Sequence, residues 1–157
     1  MSVRRSSLPP VEPVSESRLA RGKRIRQQVL GPAKPGTASQ RADALLAPLH
    51  ELGLEFAWGS IWAREGLPVN TRRFLAIALL AAQNRPRELA MHFRAALANG
   101  CTAEELREVC LHVTCYCGFP TAADAMRILG DTVKDIEAGA AQSGTTKKSV
   151  RVRAKGR

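Results

Sequence analysis

The sequence lacks any apolar run close to the roughly 20 residues that a membrane-spanning helix needs. Aromatic residues are few, with one Tyr, two Trp and four Phe among 157 residues. The opening stretch MSVRRSSLPPVEPV contains no apolar segment of the kind that a secretory signal requires. These absences predict a soluble, cytoplasmic protein without a membrane partner.

The formal charge of +10 lies at the two ends of the chain. Residues 41–137 contain 10 Lys and Arg against 12 Asp and Glu. The residues on either side contain 14 Lys and Arg against 2 Asp and Glu. The basic tail TTKKSVRVRAKGR has no aromatic side chain that could stack on a base. We therefore expect flexible tails over 1–15 and 140–157 and no nucleic-acid partner. The alternative, a tail that binds nucleic acid, predicts steep salt dependence.

Four cysteines lie within 17 residues, but none of them forms a CxxC pair; they are Cys101, Cys110, Cys115 and Cys117. Residues at positions i and i+2 face different sides of a helix. Cys115 and Cys117 therefore do not make an obvious dithiol. The histidines supply no second half of a zinc pattern. We interpret the cysteines as small buried side chains and expect no metal site.

Apolar periodicity and helix-ending residues predict an all-α fold of about six to seven helices. The predicted helices cover about 16–30, 41–52, 54–64, 71–83, 84–99, 102–117 and 120–139. Thr102 and Glu105 form a capping-box pattern, and Asn70 and Asn84 are interpreted as N-caps. We expect one helical domain over 16–139.

The helix predicted over Thr71 to Gln83 is apolar around most of its circumference. A helix of this kind is buried on nearly all sides. In a chain of this length, that burial indicates a subunit interface.

Glu88 and His92 lie four residues apart on one predicted helix, so their side chains share a face. A carboxylate beside an imidazole fixes its tautomer and raises its basicity, which suits proton transfer near neutral pH. The alternative is an ordinary surface ion pair.

Other polar residues are candidates for the walls of a site. His112 and Tyr116 repeat the i,i+4 relation on the next helix, as part of a site or of a solvated edge. Arg72 and Arg73 open an apolar helix, where a cation is unfavourable for the helix dipole. Either an anionic ligand or a neighbouring Glu would explain them. Trp62 lines an apolar pocket or fills the core.

The block FAWGSIWAREGL, together with RRFLAIALLAAQNRPRELAMHF, NGCT and YCGFP, resembles the carboxymuconolactone decarboxylase family. The likeness covers about Glu16 to Asp135. The resemblance implies an AhpD-like helical fold and a homo-oligomer, commonly a hexamer or trimer. The thiol branch of this fold carries CxxCxxxH. Here Arg85 and Glu88 take the cysteine positions, while His92 keeps the histidine position.

The resemblance further implies cofactor-independent decarboxylation of 4-carboxymuconolactone to 3-oxoadipate enol-lactone in protocatechuate catabolism. Arg73 stands where the thiol branch has a glutamate, and with Arg72 it is expected to bind substrate carboxylates. His92, oriented by Glu88, is expected to supply the proton, with His112 or Tyr116 near the lactone oxygen and Trp62 near the departing carboxylate.

Two alternatives remain open within this resemblance. One is decarboxylation of another lactone or oxo acid, since Ser60 stands where close relatives are expected to have an acidic residue. The other is an AhpD-like thiol peroxidase or reductase, which would use Cys115 or Cys117 and would need a thiol of low pKa.

Overall fold

The computed structural model describes residues 16–32 and 40–142. These residues form six α-helices and one π-helix, with no strand among them. The elements are Arg18–Leu30 (α1), Gln40–Gly53 (α2), Leu54–Trp62 (the π-helix), Val69–Ala82 (α3), Pro86–Ala98 (α4), Ala103–Cys117 (α5) and Phe119–Gln142 (α6). The all-α prediction is confirmed. The tail predicted over 1–15, and residues 143–157 of the other tail, lie outside the described residues.

The chain separates into two compact units. Of the described residues, the first unit contains 16–27 and 40–64, and the second contains 28–32 and 65–142. The expected single domain over 16–139 stays a prediction.

Within the first unit, α1 and the π-helix approach each other backbone to backbone. The Cα of Gly22 faces the carbonyl of Leu54, and that of Gly59 faces the carbonyl of Arg18. A Cβ at either glycine would overlap these carbonyl groups. Glycine is therefore needed at both positions for the helices to pack this closely.

The segment predicted as a separate helix from residue 54 continues directly from α2 as a π-helix. The hydroxyl of Ser60 donates a 2.9 Å hydrogen bond to the carbonyl of Glu55, five residues earlier. This bond follows the i to i−5 spacing of a π-helix. Ser60, the position where an acidic residue was expected, thus has a local structural contact.

The predicted start of α5 and the predicted C-terminal ends of α4 and α5 are confirmed. The side chain of Thr102 accepts a 3.1 Å hydrogen bond from the backbone N–H of Glu105, whose carboxylate accepts one of 2.9 Å from the backbone of Thr102. Gly100 and Gly118 follow the two helices with φ of 92° and 82°. Glycine adopts this left-handed backbone without steric cost.

The prediction that Asn70 and Asn84 are N-caps was wrong. Helix α3 begins at Val69 after Pro68, so Asn70 lies inside its first turn. Arg85 occupies the N-cap position of α4 without a side-chain capping hydrogen bond, and Asn84 has a left-handed backbone with φ of 52°. Asparagine tolerates this conformation better than other non-glycine residues, which suits the tight turn between α3 and α4.

Helices α3 to α6 of the second unit pack around one apolar core. Its largest fully buried side chains are Ile77, Leu89, Phe93, Leu106 and Cys110. Helix α3 buries only one side within a single chain, since Leu75 is 50% exposed and Leu79 is 60% exposed. The predicted burial of α3 on nearly all sides is therefore not met by one chain alone.

Candidate active site

Arg73 is a buried cation near the N-terminus of α3, with only 4% of its surface exposed. Its Nη1 donates a 2.6 Å hydrogen bond to Oδ1 of Asn70, one turn earlier. Its Nε is buried without a hydrogen-bond partner. None of the ion pairs between residues of the described ranges includes Arg73.

A buried charge is costly unless it is paired with an opposite charge. The predicted alternative, pairing of this arginine with a neighbouring Glu, does not occur among the described residues. Arg73 therefore forms a place where an anionic ligand would gain a charge-assisted contact.

His92 lies on α4, which packs against α3, and it is half-buried. Burial lowers the pKa of its imidazole from the ordinary value of 6.5, and the charge of Arg73 lowers that pKa further. Both effects disfavour the imidazolium form. His92 is therefore neutral near pH 7, and it shares an electrostatic environment with the one buried arginine of the described residues.

Cys101 also lies within reach of the charge of Arg73. Burial raises the pKa of this thiol, Arg73 opposes the rise, and Glu105 adds to it. Burial alone raises the pKa of Cys110 to about 11. Thiols with raised pKa values are weak nucleophiles at neutral pH, so Cys101 and Cys110 are unsuited to thiol chemistry. Cys115 and Cys117, the two cysteines of the thiol peroxidase alternative, are exposed, so their interpretation as buried side chains was wrong.

Glu88 stands on the same helix as His92, but its side chain is exposed. Within the described ranges, the Glu88 carboxylate has no ion pair. Its expected role in orienting the imidazole stays a prediction.

The rings of His112 and Tyr116 contact each other on α5, with centroids 5.3 Å apart. Both side chains are exposed, Tyr116 to 79%. No hydrogen bond between described residues joins either ring to Arg73. The structure therefore brings the predicted pair together, and its contact with substrate stays a prediction.

The remaining predicted residues fall in both compact units. Arg72 is half-buried beside Arg73 on α3, in the second unit. Trp62 belongs to the first unit, where its ring lies 5.0 Å from that of Trp58. The contact expected between Trp62 and the departing carboxylate stays a prediction.

A separate small cavity of about 140 Å³ lies in the second unit, where the end of α3 meets the starts of α4 and α6. Its polar lining consists of Asn84, Arg85, Thr121 and Asp124. Neither Arg73 nor His92 lines it. This cavity is therefore distinct from the environment of the buried arginine.

Sequence reasoning missed two residues of this environment, Asn70 and Cys101. Asn70 was interpreted as a helix cap, although its i,i+3 spacing from Arg73 is a signal for side-chain contact on a helix. No local pattern links Cys101 to Arg73, since the two are separated by 28 positions in the sequence.

Residues 16–32 and 40–142 contain neither a candidate metal site nor a membrane-spanning helix. Among them, no group of three His, Cys, Asp or Glu side chains is placed to hold a metal ion. None of the helices formed there combines the length and the apolar character needed to cross a membrane.

The sequence profile of the carboxymuconolactone decarboxylase family matches residues 48–131, more than half of the chain. The chain belongs to the carboxymuconolactone decarboxylase family. The matched segment includes Arg73, Glu88, His92, Cys101 and Tyr116.

Two relatives are similar over most of the chain. The 4-carboxymuconolactone decarboxylase of Acinetobacter baylyi is 36% identical over 121 residues, which cover 77% of this chain and 90% of that protein. The nitrosuccinic acid decarboxylase npaB of Metarhizium robertsii is 37% identical over 115 residues, which cover 73% of this chain and 80% of that protein. The family and both relatives identify this member as a decarboxylase, a carboxy-lyase.

Proposed function

We propose that this family member decarboxylates 4-carboxymuconolactone to 3-oxoadipate enol-lactone, as a step of protocatechuate catabolism. The observation that carries the proposal is Arg73, a buried guanidinium with no carboxylate partner among the described residues. A substrate with two carboxylates would supply the missing negative charge. Similarity to the Acinetobacter baylyi enzyme supports the same substrate.

The substrate itself accepts the electrons that decarboxylation releases. When the carbon–carbon bond to the leaving carboxylate breaks, its electron pair passes through the ring double bond into the lactone carbonyl. Carbon dioxide departs and a dienolate remains, which takes one proton on carbon to give the enol-lactone. The chemistry proposed here therefore needs no cofactor from the protein.

Arg73 binds the carboxylate that stays, with Arg72 assisting. A guanidinium can bind both oxygens of a carboxylate, which fixes the orientation of the substrate. Fixing the substrate in this way also converts part of the binding energy into correct positioning for bond cleavage.

His92 delivers the proton to the dienolate carbon. Its pKa is lowered in the free protein by burial and by Arg73. A bound dianion offsets the charge of Arg73 and itself favours the imidazolium, so substrate binding raises the pKa of His92 and makes its protonated form more accessible. The proton then passes to carbon, and solvent restores it after product release.

The other predicted residues assist these two. Glu88 orients the imidazole of His92, and His112 or Tyr116 stabilises charge at the lactone oxygen. Trp62 provides an apolar environment in which a carboxylate is converted more readily to neutral carbon dioxide.

A second candidate substrate is nitrosuccinic acid, because the Metarhizium robertsii relative carries that name at 37% identity. This compound is also a dicarboxylate, and its nitro group can accept the electron pair as a nitronate. Arg73 and His92 would have the same roles with either substrate. The environment of the buried arginine therefore supports a class of substrate, a dianion with an electron-accepting group. It does not by itself select one member of that class.

The deciding experiment incubates purified protein with each compound, in the presence of EDTA and without added cofactor. Carbon dioxide release and enol-lactone formation would be followed over time. Turnover of 4-carboxymuconolactone with a kcat/KM at least ten times that for nitrosuccinate supports the proposal. The reverse preference would replace the substrate, and release from neither would reject both.

We also propose that the chain assembles into a homo-oligomer. Leu45, Leu49, Leu52 and Phe56 form a stripe on α2 and the π-helix, and each is between 61% and 78% exposed. Their spacing of four, three and four residues is that of a coiled-coil seam. Their combined exposed area, roughly 400 Å² at about 100 Å² per side chain, is half of what one partner contributes to a standard interface.

A second copy of the chain is the occupant that this self-matching seam fits. Light scattering after gel filtration should show an oligomer, and Leu49→Glu should reduce its mass. Leu67→Glu, at another exposed apolar residue, is the control. A monomer at all concentrations would reject the assembly.

A further inference from the structure

The guanidinium of Arg73 is hydrogen-bonded at Nη1, whereas its Nε is buried without a hydrogen-bond partner. Nη1 donates to Oδ1 of Asn70 at 2.6 Å. Nε has no partner, and no described residue accepts a hydrogen bond from Nη2. The N–H groups of Nε and Nη2 are parallel, so together they can donate to both oxygens of one carboxylate.

Asn70 holds this group without neutralising it. Its side-chain amide oxygen is an uncharged acceptor, so Arg73 keeps its full positive charge for a ligand. The contact spans one helical turn, i to i+3, within the first turn of α3. A carboxylate at the same position would form an ion pair with the guanidinium and would compete with an incoming anion.

Because Arg73 is buried, loss of its contact with Asn70 would change the orientation of its guanidinium. Arg73 is 4% exposed, so water cannot readily replace a lost contact at its guanidinium. A guanidinium released at Nη1 could rotate about its Cζ–Nε bond and its side-chain torsions. Its Nε–Nη2 edge would then no longer face one fixed direction.

We propose that Asn70 is a positioning residue, whose amide holds Nη1 of Arg73 so that the Nε–Nη2 edge faces the carboxylate that the substrate retains. The inference rests on the proposed function, because it assigns this edge to a dicarboxylate substrate. Asn70 acts through Arg73 and does not itself touch the reacting atoms.

The kinetic test compares variants of Asn70 with a matched asparagine elsewhere. Asn70→Ala should raise KM about tenfold with kcat changed less than about threefold, since ground-state and transition-state binding are weakened alike. Asn70→Asp should raise KM about 100-fold, because its carboxylate occupies the arginine. Asn70→Ser, which keeps a small acceptor, should recover part of the loss.

Asn99→Ala is the control, since the Asn99 amide donates only to the carbonyl of Ala95. Its KM should equal that of the unchanged protein. Thermal unfolding of every variant separates a loss of binding from a loss of fold. Equal KM values for Asn70→Ala, Asn70→Asp and the unchanged protein would overturn the inference.

A second readout does not depend on turnover. In protein labelled with ¹⁵N-arginine, the Arg73 signals are assigned by their loss in Arg73→Lys. Hindered rotation should resolve the two Nη signals, and Asn70→Ala should merge them. Titration with succinate, used as a simple dicarboxylate, should shift the Arg73 Nε signal. The succinate concentration at half of the full shift should be higher in Asn70→Ala than in the unchanged protein, and higher still in Asn70→Asp.

These signals distinguish the positioning role of Asn70 from the proposed decarboxylation. Succinate shifts that depend on Asn70, without turnover of either substrate, would support the positioning role and reject the proposed reaction. Arg73 signals that are the same in Asn70→Ala, or that do not respond to succinate, would overturn the positioning role even in an active enzyme.

Discussion

Burial lowers the pKa of His92 on α4, and the positive charge of Arg73 on α3 lowers it further. The two residues are 19 positions apart in the sequence, and the packing of α3 on α4 brings the guanidinium close enough to act electrostatically on the imidazole. In the proposed reaction, a dianion bound to Arg73 would raise the pKa of His92. Substrate binding and proton supply would then be coupled through this pair.

Replacing His92 with Gln should lower kcat by about 100-fold or more if the imidazole supplies the proton. Gln keeps a similar size and a hydrogen-bonding group but cannot transfer a proton at neutral pH. Steady-state kinetics on the folded variant checks the result. His50→Gln, at a histidine of α2 in the other compact unit, is the control and should retain full activity. A near-normal kcat in His92→Gln would remove His92 from the proton-transfer role.

Replacing Arg73 with Met should raise the pKa of His92, because one of its two lowering effects is removed. The same change should raise KM by about 100-fold or more through loss of a bidentate, charge-assisted contact. The NMR titration of the imidazole measures the first effect and kinetics the second. An unchanged imidazole pKa in Arg73→Met would contradict the electrostatic link between the two residues.

Stability should depend on pH through His92. Its folded pKa lies below the ordinary value of 6.5, so the unfolded chain binds a proton more readily than the folded one. The free energy of unfolding contributed by this group is therefore fully present above about pH 6.5. It decreases as pH falls through the folded pKa. Denaturant unfolding across pH 5 to 8 should show this decrease, and His92→Gln should flatten it.

The four cysteines should divide into two classes under native alkylation. Cys115 and Cys117 are exposed, whereas Cys101 and Cys110 are buried with raised pKa values. Iodoacetamide at pH 7.5 should label Cys115 and Cys117 before it labels Cys101 and Cys110. Mass spectrometry of samples taken over time measures the labelling of each cysteine. A double Cys115→Ser, Cys117→Ser variant should retain decarboxylation. Loss of activity in that folded variant would favour the thiol alternative.

Ala substitutions at Gly22 and Gly59 should destabilise the first unit by about 1–3 kcal/mol each, since the added methyl group overlaps backbone atoms. Gly53→Ala is the matched control on α2, because a Cβ there would meet nothing within 4 Å. That change should be neutral or should stabilise by about 0.5–1 kcal/mol. Thermal unfolding of the three variants compares them. Equal melting temperatures would argue against the close backbone approach.

Helix number, the start of α5 and the C-terminal ends of α4 and α5 could be predicted because their signals are local. The capping box at Thr102 and Glu105 and the glycines at 100 and 118 act within one or two turns. Asn70 and Asn84 were misassigned for a related reason. Asparagine suits a cap, a left-handed turn or a side-chain acceptor, and only its surroundings select among these.

The candidate site divides in the same way. The sequence by itself determined which helices carry Arg73, Glu88 and His92, and which side of α4 the last two share, since helical periodicity decides both. Only the tertiary structure decided that Arg73 is buried without a carboxylate partner among the described residues, and that it lowers the pKa of His92. Burial and electrostatic environment depend on α3, α4 and their neighbours packing together, and no local spacing encodes that packing.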